Sequence, residues 1–191
     1  VTVLTVTDGE ATMGSRLSPE ETGRLRRGEA ERAAAIAGAT PRFLGLPDGK
    51  LMGRLDQLSA SIGAAIQELQ PEAVFAPWLL DVTSDHQAVS QALRLALADD
   101  GAVAPEIWGY EVWTALMPNR IVEISSVIDR KREALAAHET AALALGLSAD
   151  LGLGRWRSMQ SLGGRGWAEA FLATSAEGYG DHVMHALGAR M

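Results

Sequence analysis

Cysteine is absent from this sequence of 191 residues. Its absence excludes a disulfide framework and thiolate metal sites, so any transition-metal site must use histidine and carboxylate ligands. No apolar run reaches the roughly 18 to 20 residues of a membrane-spanning helix. No basic segment followed by a short apolar stretch opens the chain as a signal peptide would. We therefore expect no membrane span and a cytoplasmic location.

Basic residues are also fewer than acidic residues. The chain has 17 Lys and Arg residues against 24 Asp and Glu residues, which gives a formal net charge of −7. Because a phosphate backbone binds to basic surfaces, nucleic acid is not expected as a partner, and a neutral or cationic small molecule fits better. The chain is long enough to bury one core but too short for two ordinary domains. We therefore predict a single domain over residues 1–191.

The chain does not begin with methionine, and its first residues already have a strand pattern. Residues 1–6 form an apolar, β-branched run that is typical of a buried strand. This start indicates an N-terminally incomplete domain in which the N-terminal βα unit is missing. A strand without its neighbour would expose a sheet edge, which makes self-association possible.

Strand and helix patterns alternate along the rest of the chain, as in a parallel sheet with crossover helices. We predict an α/β protein with a Rossmann-like three-layer fold and a mostly parallel sheet. From residue 147 to 191 glycine becomes more frequent and the periodicity fades, so we expect an irregular tail with one helical stretch at 167–172. The other predicted elements are strands at 1–6, 42–46, 73–76, 106–113 and 120–124, and helices at 18–38, 51–69, 87–97 and 125–146.

Polar residues follow the first three predicted strands: Asp8, Asp48 and the segment 81–86. Ligands of open α/β sheets bind beyond the carboxyl ends of the strands, so these residues are candidates for a site. The alternative is that they are ordinary turn and cap residues.

The pair Asp85-His86 carries the more specific signal. A neutral imidazole at the mouth of a helix can bind a metal, and a nearby carboxylate can orient the ring or move a proton. In the alternative interpretation Asp85 caps the helix and His86 is solvated in its first turn. One histidine cannot hold a catalytic zinc ion, which takes three protein ligands and a water.

Eight short blocks follow one another along the chain. They are Thr7-Asp8-Gly9-Glu10, Arg26-Arg27-Gly28-Glu29, Leu46-Pro47-Asp48-Gly49, the segment 81–86, Tyr110-Glu111-Val112-Trp113, Pro118-Asn119-Arg120, the segment 131–138 and the segment 167–171. Each block alone is weakly specific, but in this order they resemble the PIG-L/LmbE-like family of N-acetylglucosaminyl de-N-acetylases, and the resemblance covers nearly the whole chain.

The resemblance implies a zinc site and a sugar site. In that family a His and an Asp of a His-Pro-Asp-Asp motif bind zinc together with the His of a later Asp-His pair, which His86 matches. Arg26 and Asp48 match residues that contact the sugar substrate. Asp85 matches a carboxylate that supports the histidines of the site, and we assign it a catalytic role. Without the resemblance, Arg26 is equally a surface charge and Asp48 a turn residue.

Two departures from the family pattern bear on activity. No His-Pro-Asp-Asp sequence occurs in the 191 residues, and Thr83 stands where many members have a histidine that stabilises the oxyanion. The resemblance implies a zinc-dependent hydrolase that deacetylates an N-acetylated sugar of the N-acetylglucosamine type. Because two metal ligands and the general base are missing, we expect these 191 residues to bind zinc weakly and to be inactive.

Two other functions remain open. An inactive binding or structural paralogue of the same fold is favoured by the missing motif and by Thr83. A nucleotide-dependent transferase would need a glycine-rich phosphate loop after the first strand, and Gly9 with Gly14 does not make the G-x-G-x-x-G pattern.

Overall fold

The computed structural model describes residues 1–11, 17–98, 104–140 and 148–188. The elements in these ranges alternate as the sequence predicts in the first half of the chain, and the α/β class is confirmed. In chain order they are β1 (Thr2–Thr7), α1 (Pro19–Ala37), β2 (Thr40–Leu46), a short 3₁₀ helix (Leu51–Arg54), α2 (Leu55–Leu69), β3 (Ala73–Pro77), α3 (Ser84–Ala98), β4 (Glu106–Tyr110), β5 (Arg120–Glu123), a second 3₁₀ helix (Ser125–Val127), α4 (Ile128–Ala136), α5 (Ser148–Ser161), β6 (Ala168–Thr174) and α6 (Ala176–Gly188).

The chain divides into two compact units. The first comprises Val1–Asp48 and Ile121–Glu169, and the second comprises Gly49–Arg120 and Ala170–Met191. The single domain predicted from the sequence stays a prediction. No helix within the described ranges is long and apolar enough to span a bilayer.

The first unit is built on a parallel pair of strands joined by α1. β1 pairs with β2 in register from Thr2↔Thr40 to Thr5↔Phe43, and an irregularity precedes the pair Thr7↔Leu46. Among the described strands, β2 is the one partner of β1. Self-association through a sheet edge and a missing N-terminal βα unit stay predictions.

Local chemistry fixes both ends of α1. The Ser18 hydroxyl accepts a hydrogen bond from the Glu21 amide at 3.2 Å, and the Glu21 carboxylate accepts one from the Ser18 amide at 3.0 Å. This capping box satisfies amides that have no partner inside the helix. Gly38 ends the helix in the left-handed conformation, with φ of 71°. The predicted start and end of this helix are confirmed.

The second unit contains the parallel pair β3 and β4, in register from Ala73↔Glu106 to Pro77↔Tyr110. β6 pairs with β4 in the antiparallel direction, from Ile107↔Thr174 to Tyr110↔Phe171. The helices α2 and α3 pack together over an apolar core. Its buried members include Leu58, Ile62, Ile66, Ala88, Ala92, Leu93 and Ile107.

The region predicted to be an irregular tail is regular in the structure. Residues 148–188 form α5, β6 and α6, and β6 occupies the stretch that the sequence predicts to be helical. Pairing with β4 decides this, because strand formation depends on neighbouring strands more than on local propensity. The side chain of Asn119 reinforces β6 by bonding both the amide and the carbonyl of Ala173, each at 2.8 Å. The predicted helix at 125–146 is shorter, with α4 at Ile128–Ala136, and residues 141–147 lie outside the described ranges.

Candidate active site

The parallel strands β3 and β4 end side by side, where Pro77 and Tyr110 are paired. The loops that follow them therefore begin at the same edge of the second unit's sheet, which is where α/β proteins bind ligands. The first loop leads through Asp81 to α3, and the second loop contains Trp113.

Asp81 connects these loops and holds the ring of His86. Its side chain is fully buried, with 0% exposure. Its Oδ1 lies 3.0 Å from Nδ1 of His86 and accepts a hydrogen bond from the Thr83 amide at 2.9 Å. Its Oδ2 accepts a hydrogen bond from the Trp113 amide at 2.8 Å. One carboxylate thus fixes the imidazole and the two loops at the same time.

The environment of Asp81 keeps its carboxylate charged. Burial alone raises its pKa, but the hydrogen bonds from Thr83 and Trp113 and the nearby His86 together outweigh burial, so the pKa of Asp81 is lowered from its usual value. A carboxylate ionised at neutral pH can only accept at Nδ1 of His86. That nitrogen is then the donor, and Nε2 is the nitrogen that can bind a metal or accept a proton.

The backbone of His86 is fixed as well, because it lies in the first turn of α3. The hydroxyl of Ser90 lies 3.2 Å from the carbonyl oxygen of His86 and 3.0 Å from that of Pro77. Ser90 is buried, so its hydroxyl connects the end of β3 with the start of α3. His86 therefore has a set position relative to the strand end.

The sequence led us to expect that Asp85 orients its neighbour His86. In the structure the carboxylate that orients His86 is that of Asp81. Both oxygens of Asp85 bond backbone amides instead, those of Gly49 at 2.7 Å and Leu51 at 3.2 Å. Consecutive residues of a helix point in different directions, so adjacency in sequence does not bring their side chains together. The observed contacts of Asp85 hold the backbone at Gly49 and Leu51, ahead of α2. The catalytic role assigned to Asp85 stays a prediction.

In the first unit, Arg26 reaches the loop that follows β1. Its Nη1 donates a hydrogen bond to the carbonyl of Gly9 at 3.0 Å. Gly9 has φ of 68°, and a Cβ at this position would lie 2.6 Å from Nη1 of Arg26. The left-handed backbone therefore favours glycine, and a Cβ at this position would displace the guanidinium of Arg26.

Asp48 reaches the same loop from the end of β2. Its Oδ2 accepts a hydrogen bond from the Ala11 amide at 3.1 Å, and its Oδ1 lies 3.4 Å from the Thr7 hydroxyl. Its own amide donates to Oε1 of Glu10 at 2.8 Å. The structure therefore brings Arg26 and Asp48 to one loop of the first unit, while Asp85 and His86 lie in the second unit.

Two glutamates have roles that the sequence did not specify. Oε2 of Glu10 is buried, and no hydrogen-bond partner for it exists within residues 1–11, 17–98, 104–140 and 148–188. The position of Glu10 shortly after β1 is the feature of the sequence that could have indicated this residue. Glu29 is buried and accepts hydrogen bonds from the amide and hydroxyl of Thr140 at 2.9 and 2.7 Å. The Glu29 carboxylate is therefore occupied by these two hydrogen bonds inside the first unit.

The described residues do not fit a complete zinc site. Zinc in catalytic centres takes three protein ligands, and no group of three His, Asp or Glu side chains in the described ranges is arranged to hold a metal ion. What fits is a single ligand position at Nε2 of His86, with Asp81 on the other ring nitrogen. This arrangement of carboxylate and histidine is the usual support of a metal-binding imidazole.

Comparison of the sequence with protein families shows which family the chain belongs to. The family model described as PIG-L, GlcNAc-PI de-N-acetylase, matches residues 1–97. The chain belongs to the PIG-L family. The match includes β1, α1, β2 and the segment from Asp81 to His86, and so it covers every site residue predicted from the sequence.

Solved structures of other proteins share this fold. The conserved protein TT1542 from Thermus thermophilus is 28% identical, with a TM-score of 0.72 over 90% of this chain and 80% of its own. The N,N'-diacetylchitobiose deacetylase from Pyrococcus horikoshii is 20% identical, with a TM-score of 0.77 over 94% and 74% of the two chains. The 4-carboxy-2-hydroxymuconate hydratase GalB from Pseudomonas putida is 21% identical, with a TM-score of 0.62 over 91% and 83%. The fold alone therefore does not determine the reaction, which must be argued from the site.

The first prediction concerns Asp81. Asp81→Asn should lower the free energy of unfolding at pH 7 by about 2 to 3 kcal/mol, because charge-assisted hydrogen bonds in a buried site are weakened. Since the pKa of Asp81 is lowered in the folded state, its contribution is present above about pH 4 and is lost as the pH falls further. Urea unfolding between pH 7 and pH 2.5 should therefore show a smaller acid-induced loss in Asp81→Asn than in the wild type. Glu31→Gln, on the exposed face of α1, is the control, and equal acid profiles for wild type and Asp81→Asn would contradict the assignment.

The second prediction uses two glycines with similar backbones. Gly9 and Gly49 have φ of 68° and 74°, but a Cβ at Gly49 would meet no atom within 4 Å. Gly9→Ala and Gly49→Ala should each cost about 1 to 2 kcal/mol in stability because of the left-handed backbone. Gly9→Ala alone should displace the Arg26 side chain, which a shift of its Nε resonance in ¹⁵N NMR spectra would report. An unchanged Arg26 resonance in Gly9→Ala would show that this guanidinium does not pack on Gly9.

Proposed function

We propose that this chain belongs to a metal-dependent de-N-acetylase that removes the acetyl group from an N-acetylated sugar of the N-acetylglucosamine type. Membership of the PIG-L family supports the reaction class. The observation that carries the proposal is the position of His86, whose Nδ1 lies 3.0 Å from the buried carboxylate of Asp81. Such a carboxylate holds a metal-binding histidine in one tautomer and one orientation.

The roles of the other residues follow from their contacts. Arg26 and Asp48 meet the loop after β1, and we assign them to hydroxyl groups of the sugar. Glu10, whose Oε2 is buried without a partner in the described part of the chain, is a further acceptor for such a hydroxyl. Polar groups of this kind position the substrate and can lower the barrier by several kcal/mol.

The reaction itself needs more than these residues provide. Water adds to the acetamide carbonyl, the C–N bond breaks, and acetate and the sugar amine are released. We propose that two further metal ligands and the general base must come from a His-Pro-Asp-Asp motif, which these 191 residues do not contain. By themselves they should bind zinc weakly and should not release acetate.

An inactive paralogue of the same fold is the second candidate. Thr83 stands where many relatives place a histidine, and this favours lost catalysis. The contact between Asp81 and His86 favours a working metal site, because a buried carboxylate is costly to keep and here it orients an imidazole. Metal content and acetate release distinguish the two candidates.

The third prediction separates metal binding from sugar binding. In a protein with His-Pro-Asp-Asp ahead of Val1, His86→Ala should remove stoichiometric zinc and acetate release together, since zinc loses one of its three ligands. Asp48→Ala should keep zinc and lower kcat/KM by a factor of about 5 to 150, as expected for about 1 to 3 kcal/mol from one polar contact. Zinc analysis and acetate release from an N-acetylglucosamine glycoside measure both effects.

His182→Ala, an exposed histidine of α6, is the matched control and should change neither quantity. Full zinc content and activity in His86→Ala would overturn the ligand assignment. Stoichiometric zinc in the 191 residues alone would show that they contain a metal site other than the one proposed.

A further inference from the structure

The last helix in the described ranges, α6, packs against α3, the helix that contains His86 in its first turn. Tyr179 of α6 is buried, with 2% exposure, and its hydroxyl donates a hydrogen bond to the backbone carbonyl of Ser90 at 3.3 Å. Burial raises the pKa of Tyr179 to about 12, so the phenol keeps its proton at neutral pH and remains a donor. A residue 89 positions further along the chain therefore holds α3 close to the candidate site.

Ser90 is also held by the end of β3. Its hydroxyl lies 3.0 Å from the carbonyl oxygen of Pro77 and 3.2 Å from that of His86, and it has one proton to donate. In a regular helix the carbonyl of residue 86 already accepts the amide of residue 90, so the hydroxyl donates to the nearer carbonyl, that of Pro77. Ser90 is 1% exposed, and bulk water therefore does not compete for these contacts.

These contacts determine the distance that the hydrogen bond between Asp81 and His86 has to span. Asp81 lies in the loop that follows β3, whereas His86 lies one helical turn before Ser90 in α3. The 3.0 Å between Oδ1 of Asp81 and Nδ1 of His86 therefore depends on the position of α3 relative to the end of β3. Ser90 fixes that position, and Tyr179 holds Ser90 from α6; all of these residues belong to the second unit.

We propose that Ser90 and Tyr179 are positioning residues of the candidate site, which together hold α3 where the imidazole of His86 meets Asp81. The inference rests on the proposed function in one respect, because it takes His86 to be a metal ligand. Neither Ser90 nor Tyr179 takes part in bond breaking. Their contribution is to keep the imidazole in one place, since a displacement of about 1 Å at a site can lower a rate about 100-fold.

The test measures how fast the Nδ1 proton of His86 exchanges with solvent. The measurement uses ¹H–¹⁵N NMR of the metal-free 191-residue protein at a pH where the imidazole is neutral. Ser90→Ala should speed this exchange about 3- to 10-fold, the factor that corresponds to the net free energy of one hydrogen bond. Tyr179→Phe keeps the ring and removes the hydroxyl. It should act in the same direction by about two- to threefold, because its hydrogen bond is the longer one.

Ser158→Ala is the matched control. Ser158 is also fully buried, and its hydroxyl donates to a backbone carbonyl, that of Arg155 at 2.6 Å, in the first unit. The control should lower the midpoint of urea unfolding, as Ser90→Ala does, and should leave the exchange of the His86 proton unchanged. The inference is overturned by an unchanged exchange rate in Ser90→Ala or Tyr179→Phe, by an equal change in Ser158→Ala, or by a wild-type Nδ1 proton that exchanges too fast to be observed.

A second measurement separates this inference from the proposed function. In the protein with His-Pro-Asp-Asp ahead of Val1, Ser90→Ala should raise the zinc dissociation constant about 2- to 10-fold. This is less than the 10- to 100-fold typical for loss of a group that bonds a metal ligand directly. Faster proton exchange with an unchanged zinc dissociation constant would count against His86 as a ligand, and so against the proposed function, while the positioning of the imidazole would stand.

Discussion

The negative charge of Asp81 is buried, and a buried charge is costly unless hydrogen bonds satisfy it. Three groups do so here: the amides of Thr83 and Trp113 and the ring of His86. Because they come from two loops and a helix, satisfying one carboxylate fixes the relative positions of all three elements in the second unit. The orientation of the proposed metal ligand and the position of the backbone at Trp113 both depend on this interaction.

Elements defined by local chemistry were predictable from the sequence. Ser18 and Glu21 form the expected capping box, and Gly38 ends α1 because it has no Cβ to oppose a positive φ. The helix predicted at 167–172 was wrong. This stretch belongs to β6, whose partner β4 lies some 60 residues earlier in the chain, so the pairing Tyr110↔Phe171 leaves no local signal.

The site was predictable in part, and the limit is geometric. The Asp-His pattern located His86, but it indicated Asp85 as the supporting carboxylate, whereas Asp81 reaches the ring from a loop five residues earlier. Which side chains meet across a loop depends on backbone conformation that a residue pattern does not specify. Arg26 stood out through family resemblance alone, whereas Asp48 also follows a predicted strand, and the loop that both residues contact is a finding of the structure. The residue pattern also does not reveal that the Glu29 carboxylate accepts hydrogen bonds from Thr140.

We infer that an ionised Asp81 fixes His86 with its proton on Nδ1 and its Nε2 turned to a ligand. Long-range ¹H–¹⁵N correlation spectra of the labelled protein, recorded at a pH where imidazole is neutral, distinguish the two tautomers directly. His86 should be protonated at Nδ1 in the wild type, and Asp81→Ala should lose this preference. A His86 protonated at Nε2 in the wild type, or a tautomer unchanged in Asp81→Ala, would contradict it.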